Sequence, residues 1–114
     1  MIAVIFEFWP AEAHRGEYFD LAAELRPMLE TIDGFISLER FESVTSAGKY
    51  VSLSFWRDAD AVAAWRKVAE HRVAQARGRG WIFTDYRLRV AEVSRDYGMY
   101  ERHEAPADSR QQHG

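Results

Sequence analysis

The chain has 114 residues, a net charge of −3, sixteen aromatic side chains and no cysteine. That length supports one domain with one core, and the aromatic content rules out disorder for the bulk of the chain. The missing cysteines exclude a disulfide scaffold, a thiolate metal site and a cysteine nucleophile.

Charge is unevenly spread. Met1–Gly48 carries nine acidic residues against three arginines, whereas Arg57–Arg89 carries eight basic residues against four acidic ones. A basic second half suits an anionic ligand or an acidic neighbour. Interruption by Asp and Glu, and an acidic chain overall, exclude a nucleic-acid footprint. The longest apolar run, Ile2–Phe6, is far too short for a membrane span and lacks signal-peptide flanks. A cytoplasmic location is expected.

Ile2–Trp9 reads as a strand covered on both faces, since both parities are largely apolar. Pro10 closes it. Tyr18, Leu21, Ala22, Leu25, Leu29 and Ile32 recur at helical spacing and predict a helix from about Arg15 to Thr31, loosened by Pro27 and stopped at Asp33-Gly34. Phe35–Ser43 and Lys49–Trp56 read as a hairpin turned at Ser46-Ala47-Gly48. The second of these strands alternates Val51, Leu53, Phe55 with Tyr50, Ser52, Ser54, Trp56.

Asp58 is a good N-cap for a second helix reaching about Arg77, with Val62, Trp65, Val68, Ala69, Val73 and Ala76 turned to the core. Gly78 and Gly80 fit its stop, Trp81–Phe83 is an aromatic connector, and Tyr86–Arg95 is the last strand. From Glu101 the text turns polar, and residues 1–98 are expected to form the domain. Residues 99–114 form a tail, disordered alone or packed on a partner subunit.

The order β-α-β-β-α-β predicts an α+β, ferredoxin-like fold: a four-stranded antiparallel sheet with both helices on one face. The other face is expected to carry Tyr, Trp, Ala and Val beside a few polar groups. Left bare it would be a large apolar patch, and a second copy packed sheet to sheet is the economical cover.

No phosphate loop, zinc-protease motif or nucleophile elbow is present, and the four histidines are too scattered for a three-ligand metal site. The most suggestive cluster lies on the second helix, where Ala64, Val68, His71 and Gln75 align near Trp65. A partly buried imidazole beside an indole can act as a general base. The plainer reading, which the residues favour, makes Trp65 core and His71 a half-exposed residue bonded to Glu70 or water. Glu7 lies in an apolar strand, as a base on a cavity floor or, preferably, in a salt bridge with Arg87 or Arg89. Arg89 is either such a partner or a stabiliser of an enolate or phenolate. Phe6, Phe8, Phe55, Trp56, Trp81 and Phe83 are offered, with Val68 and Gln75, as the lining of a flat apolar pocket between sheet and helices, while most of these aromatics are core in any reading.

The run Ser54-Phe55-Trp56-Arg57-Asp58, then Ala61–Arg66, Glu70-His71-Arg72 and Gln75, resembles the antibiotic biosynthesis monooxygenase domain. The Asp33-Gly34-Phe35 turn and the Tyr86–Arg95 strand are similar too, so the resemblance covers roughly Ile2–Tyr97. It implies a dimeric α+β barrel, with a homodimer joined through the helix-free sheet face. It also implies a cofactor-independent monooxygenase that oxidises a small aromatic or polycyclic phenol with O₂. His71 would then be the base, Trp65 a pocket wall and Arg89 the charge stabiliser, with no cofactor or metal. The alternative within the same superfamily is a haem-degrading enzyme. That family uses a strand Asn, a helix Trp and a later His; Trp65 matches, but the chain has no Asn, and Gln75 stands near the His position. A third reading is a non-catalytic dimer that binds small molecules or responds to stress.

Overall fold

The computed structural model describes residues 1–76 and 82–114. Its order is β1 (Ile2–Pro10), a 3₁₀ turn (Glu12–His14), α1 (Arg15–Glu30), β2 (Phe35–Glu42), β3 (Tyr50–Trp56), α2 (Ala59–Ala76), β4 (Phe83–Glu92) and α3 (Ala107–His113). The sheet runs β2-β3-β1-β4, antiparallel at every pairing. This is the α+β, ferredoxin-like arrangement that the order of elements predicts.

The observed bounds differ where tertiary contacts override local signals. Pro10 belongs to β1 because it pairs with Phe83 across a bulge after Trp9. The same pairing draws Phe83 out of the expected connector and starts β4 three residues before Tyr86. Trp81 and the Gly78–Gly80 stop lie outside the described residues. Pro27 stays inside α1. It is exposed, as is Ala23 four residues earlier, so water can serve the carbonyl that loses its helical donor. In the polar tail the sequence gives no apolar period, yet α3 forms, starting at Pro106.

Capping follows the sequence. Asp58 accepts the backbone N–H of Ala61 at 3.0 Å, opening α2. Gly34, at φ 92°, ends the α1 turn and passes its carbonyl to the N–H of Arg57 at 2.7 Å. Arg57 then grips both carboxylate oxygens of Asp33, at 3.1 and 3.2 Å, and Asp58 at 2.9 Å. One guanidinium thereby joins the loop before β2 to the β3–α2 corner. It holds the Asp33 and Asp58 carboxyls below the ordinary aspartate range.

Two packed groups fill the space between sheet and helices. In the first, Phe8 is surrounded by Phe6, Tyr18, Tyr50 and Phe83 at ring separations of 4.7–5.8 Å. In the second, Trp56 lies between Phe35 and Trp65, over Leu29 and Ala61. Burying one such ring stabilises the fold by roughly 2–3 kcal/mol before entropy is charged. Three polar groups anchor the layer: Trp56 donates to the Ser54 hydroxyl at 2.9 Å, and the Tyr50 and Tyr18 phenols accept from Arg15 and Arg40. Burial pushes the Tyr18 phenol up, partly offset by Arg40.

The pairing register corrects the expected composition of the sheet faces. Phe8 pairs with Tyr50, Phe6 with Ser52 and Ile2 with Trp56. The Tyr/Ser/Trp parity of β3 therefore faces the helices. The helix-free face carries Ala3, Ile5, Glu7 and Trp9 beside Val51, Leu53 and Phe55. Period-two alternation was visible in the sequence; which parity met the helices was not.

Candidate active site

On the helix-facing side, Tyr86, Leu88 and Val90 of β4 sit in register beside Phe8, Phe6 and Val4 of β1. The β1 residues are covered by helices; the β4 residues are 60, 52 and 55% exposed. The helical layer thus leaves an open apolar shelf along β4. Phe6 and Phe83 form its inner edge, each packed within 6 Å of the Tyr86 ring. A strand forms there because Tyr, Leu and Val at alternate positions suit a pleated surface. Such a surface binds flat apolar molecules by contact area alone.

On α2, Ala61, Val62, Trp65, Val68, Ala69 and Arg72 form the covered stripe. Trp65 stacks on Trp56 at 6.4 Å and 25°, as the plainer core reading expected. Val68 is half-buried, and His71 is exposed one turn further on. The Gln75 side chain, like Trp81, lies outside the described residues. Phe6 and Phe83 are half-buried at the shelf, whereas Phe8 is wholly enclosed and is core.

Two residues of the expected set fall elsewhere. Phe55 pairs with Ala3, on the helix-free face, so it cannot line a pocket with Phe6 and Phe8. Arg89 pairs with Ile5 on that same face, across the sheet from Trp65 and His71. It bonds Glu7 at 2.5 Å, the salt bridge the sequence favoured. Lys49, which the sequence reading overlooked, bonds the other Glu7 oxygen at 2.8 Å and stands 5.0 Å over the Trp9 ring. Long-range register places it there: Lys49 directly precedes Tyr50, whose register partner is Phe8. A shallow depression of about 320 Å³ opens there, lined by Ile5, Glu7, Glu42, Ser43, Lys49, Tyr50 and Val51.

Lys49 chiefly, with Arg89 adding to it, holds the Glu7 carboxyl below its ordinary value against an opposing desolvation second only to Lys49. Glu7 is therefore ionised at neutral pH and a weak base. A carboxyl whose pKa is lowered by folding stabilises the fold above its unfolded pKa. That contribution disappears as pH falls through the folded value, here below about 4.5. Lys49→Gln is expected to return the Glu7 carboxyl toward its ordinary range and to move the acid-unfolding limb to higher pH. Carboxyl-carbon NMR of Glu7 across pH 2–6 checks this, and an unchanged titration would refute the pairing.

Among the described residues, no group of three or more His, Asp or Glu could hold a metal ion. None of their helices is long and apolar enough to cross a membrane.

Comparison with known proteins agrees with this fold. A "Jasmonate monooxygenase ABM" from Pyricularia oryzae is 45% identical over 94 residues, covering 82% of this chain. The match takes in 44% of the Pyricularia protein, so this chain spans less than half of that relative. YqjZ of Bacillus subtilis is 34% identical over 82% of this chain and 79% of its own length. Among solved structures, Rv0793 from Mycobacterium tuberculosis superposes with a TM-score of 0.70 at 21% identity, covering 85% of this chain and 98% of that one. Residues 1–77 match the profile described as antibiotic biosynthesis monooxygenase. The chain belongs to the antibiotic biosynthesis monooxygenase family.

Proposed function

We propose that this protein is a monooxygenase that oxidises a small, flat aromatic or polycyclic phenol with O₂ and uses no cofactor. The observation that carries the reading is the apolar β4 shelf, open on the helix-facing side in a chain of this family. The name of the Pyricularia relative supports oxygenation of a small cyclic compound as the reaction class.

The ring lies on Leu88 and Val90 with an edge toward Phe6 and Tyr86. His71, on the same side of α2 as Val68, takes the acidic proton. The resulting anion is electron-rich enough to reduce O₂ directly. Overall the ring CH₂ of the phenol's keto tautomer and O₂ become C=O and H₂O: two C–H bonds break, one oxygen atom stays on carbon and the other leaves as water. Contact with the apolar shelf strips water from one face of the anion. Arg89 lies on the far side of the sheet and takes no part within the same chain.

The haem alternative fits less well. Trp65, the one residue matching that pattern, is packed on Trp56 instead of facing an open cavity, and the chain has no Asn. The reading includes a homodimer through the helix-free face and a cytoplasmic location.

Anthrone-like and hydroquinone-like compounds, screened for O₂ uptake under ¹⁸O₂, test the proposal. One labelled oxygen in the product and one in water is the expected result. His71→Ala is expected to lower kcat by about 10²–10⁴-fold. Saturable haemin binding followed by bleaching with ascorbate would replace the reading with haem degradation. Unchanged turnover in His71→Ala would remove His71 as the base.

A further inference from the structure

A phenolate resting on the β4 shelf is stabilised by a hydrogen-bond donor aimed at its oxygen. Arg89, which the family resemblance put in that role, lies on the opposite face of the sheet. On the shelf itself the candidates are the helix-facing row of β4. That row is Tyr86, Leu88, Val90 and Glu92, in register with Phe8, Phe6, Val4 and Ile2 of β1. Leu88 and Val90 are apolar, and the Glu92 carboxylate repels an anion. Thr84, two residues before Tyr86, already donates its hydroxyl to the Trp9 carbonyl at 3.2 Å. Tyr86 is the member of the row with a hydroxyl to offer.

Its surroundings fix the ring. It packs on Phe6 at 5.6 Å and 55°, and on Phe83 at 5.9 Å and 60°. The Asp85 carboxylate accepts the Tyr86 backbone N–H at 2.8 Å. The hydroxyls of Tyr18 and Tyr50 accept from Arg40 and Arg15. The Tyr86 hydroxyl bonds none of the described residues, and the residue is 60% exposed. A ring held on two sides, with an apolar body and a polar tip, suits recognition of a ligand that is itself part apolar and part polar.

We propose that the Tyr86 hydroxyl anchors the substrate's oxygen, donating to the phenolate while the fused rings extend along Leu88 and Val90 toward Glu92. The row from Tyr86 to Glu92 is about 20 Å of strand, polar at both ends and apolar between them. The oxygenated end of the ligand lies at Tyr86. A second anionic group at the far end is disfavoured by Glu92. The ligand class is therefore a flat phenol with its ionisable oxygen at one end and no acid at the other. The assignment rests on the oxygenation reading for the formation of the anion, but the hydrogen bond needs no turnover.

Equilibrium dialysis of the full chain against 2-naphthol and naphthalene tests it. The two probes share shape and differ by the hydroxyl. A site that hydrogen-bonds a ligand hydroxyl discriminates against the analogue lacking it. On an open shelf water competes for the same bond, so the affinity ratio of 2-naphthol to naphthalene is expected to fall about tenfold in Tyr86→Phe. Naphthalene affinity should be unchanged, since the ring and its packing remain. Tyr100→Phe, which removes another exposed hydroxyl, should leave the ratio at the wild-type value. An unchanged ratio in Tyr86→Phe overturns the proposal, as does an equal loss for both probes, an equal fall in Tyr100→Phe, or no binding of 2-naphthol by the wild type. The oxygenation reading fails separately. Absence of O₂ uptake with every phenol removes that chemistry and leaves the dialysis ratio standing, whereas an unchanged ratio with O₂ uptake intact removes only the Tyr86 anchor.

Discussion

Trp56→Ala is expected to lower the unfolding free energy by about 3–5 kcal/mol, the range for removing a buried large aromatic. Trp56 is completely buried at the centre of the second packed group, and three effects coincide there. The cavity opens against Leu29, Phe35 and Ala61; the Ser54 hydroxyl loses its indole donor inside the core; and Trp65 loses the ring on which it stacks. Trp56→Phe separates these effects. It retains most of the apolar volume and removes the 2.9 Å hydrogen bond, so a loss of about 1–3 kcal/mol is expected. Urea titrations of both variants at one protein concentration supply the numbers, since self-association contributes to apparent stability. A loss under 1 kcal/mol for Trp56→Ala would contradict the packing described. The same substitution should loosen α2 against β3, because Trp65, which stacks on Trp56, is that helix's largest half-buried side chain.

The elements were legible in the sequence because their signals are local. The 3.6-residue period of Tyr18, Ala22 and Leu29, the period of two in Tyr50–Trp56, and the cap at Asp58 depend on neighbours a few residues away. Alternation alone did not assign the faces. The long-range register of β1 with β3 and β4 did that, putting Tyr50 and Trp56 under the helices and Phe55 and Arg89 on the far side. The site was half legible for the same reason. Trp65 was anticipated as core, and the Arg89 partner of Glu7 was named. The exposed parity of Tyr86, Leu88 and Val90 was also visible as an alternation. That this parity, on a strand beside buried Phe8, is exposed is a long-range outcome that no local pattern encodes. The tail is polar in sequence, and its order rests on bonds from Arg102 to the backbone carbonyls of Gly98 and Gly114, groups which every sequence contains.

The two ends of the helical layer are therefore held differently. Along β4 the layer is open and suited to a visitor. At the β2–β3–α2 corner it is closed by backbone geometry, and the tightest position there is Gly34. Gly34→Ala is expected to cost about 2–4 kcal/mol, for two separable reasons. At φ 92° an alanine must adopt a left-handed conformation, at about 1–2 kcal/mol. Its new Cβ would also stand 2.8 Å from the Cβ of Ala61, inside contact distance, and overpacking of this kind costs about 1–3 kcal/mol. Ala61 lies in the first turn of α2, so relief by movement would shift that helix and strain the Arg57 N–H bond to the Gly34 carbonyl. Adding Ala61→Gly separates the two costs. It removes the opposing methyl and leaves the dihedral, so the double variant should recover the steric part and keep the conformational part. The coupling in a double-mutant cycle then reads the clash alone, less the cavity and helix-propensity cost that Ala61→Gly carries by itself. A coupling near zero would mean the corner yields freely. That would contradict a corner held by Arg57 through both carboxylate oxygens of Asp33 and the adjacent Asp58.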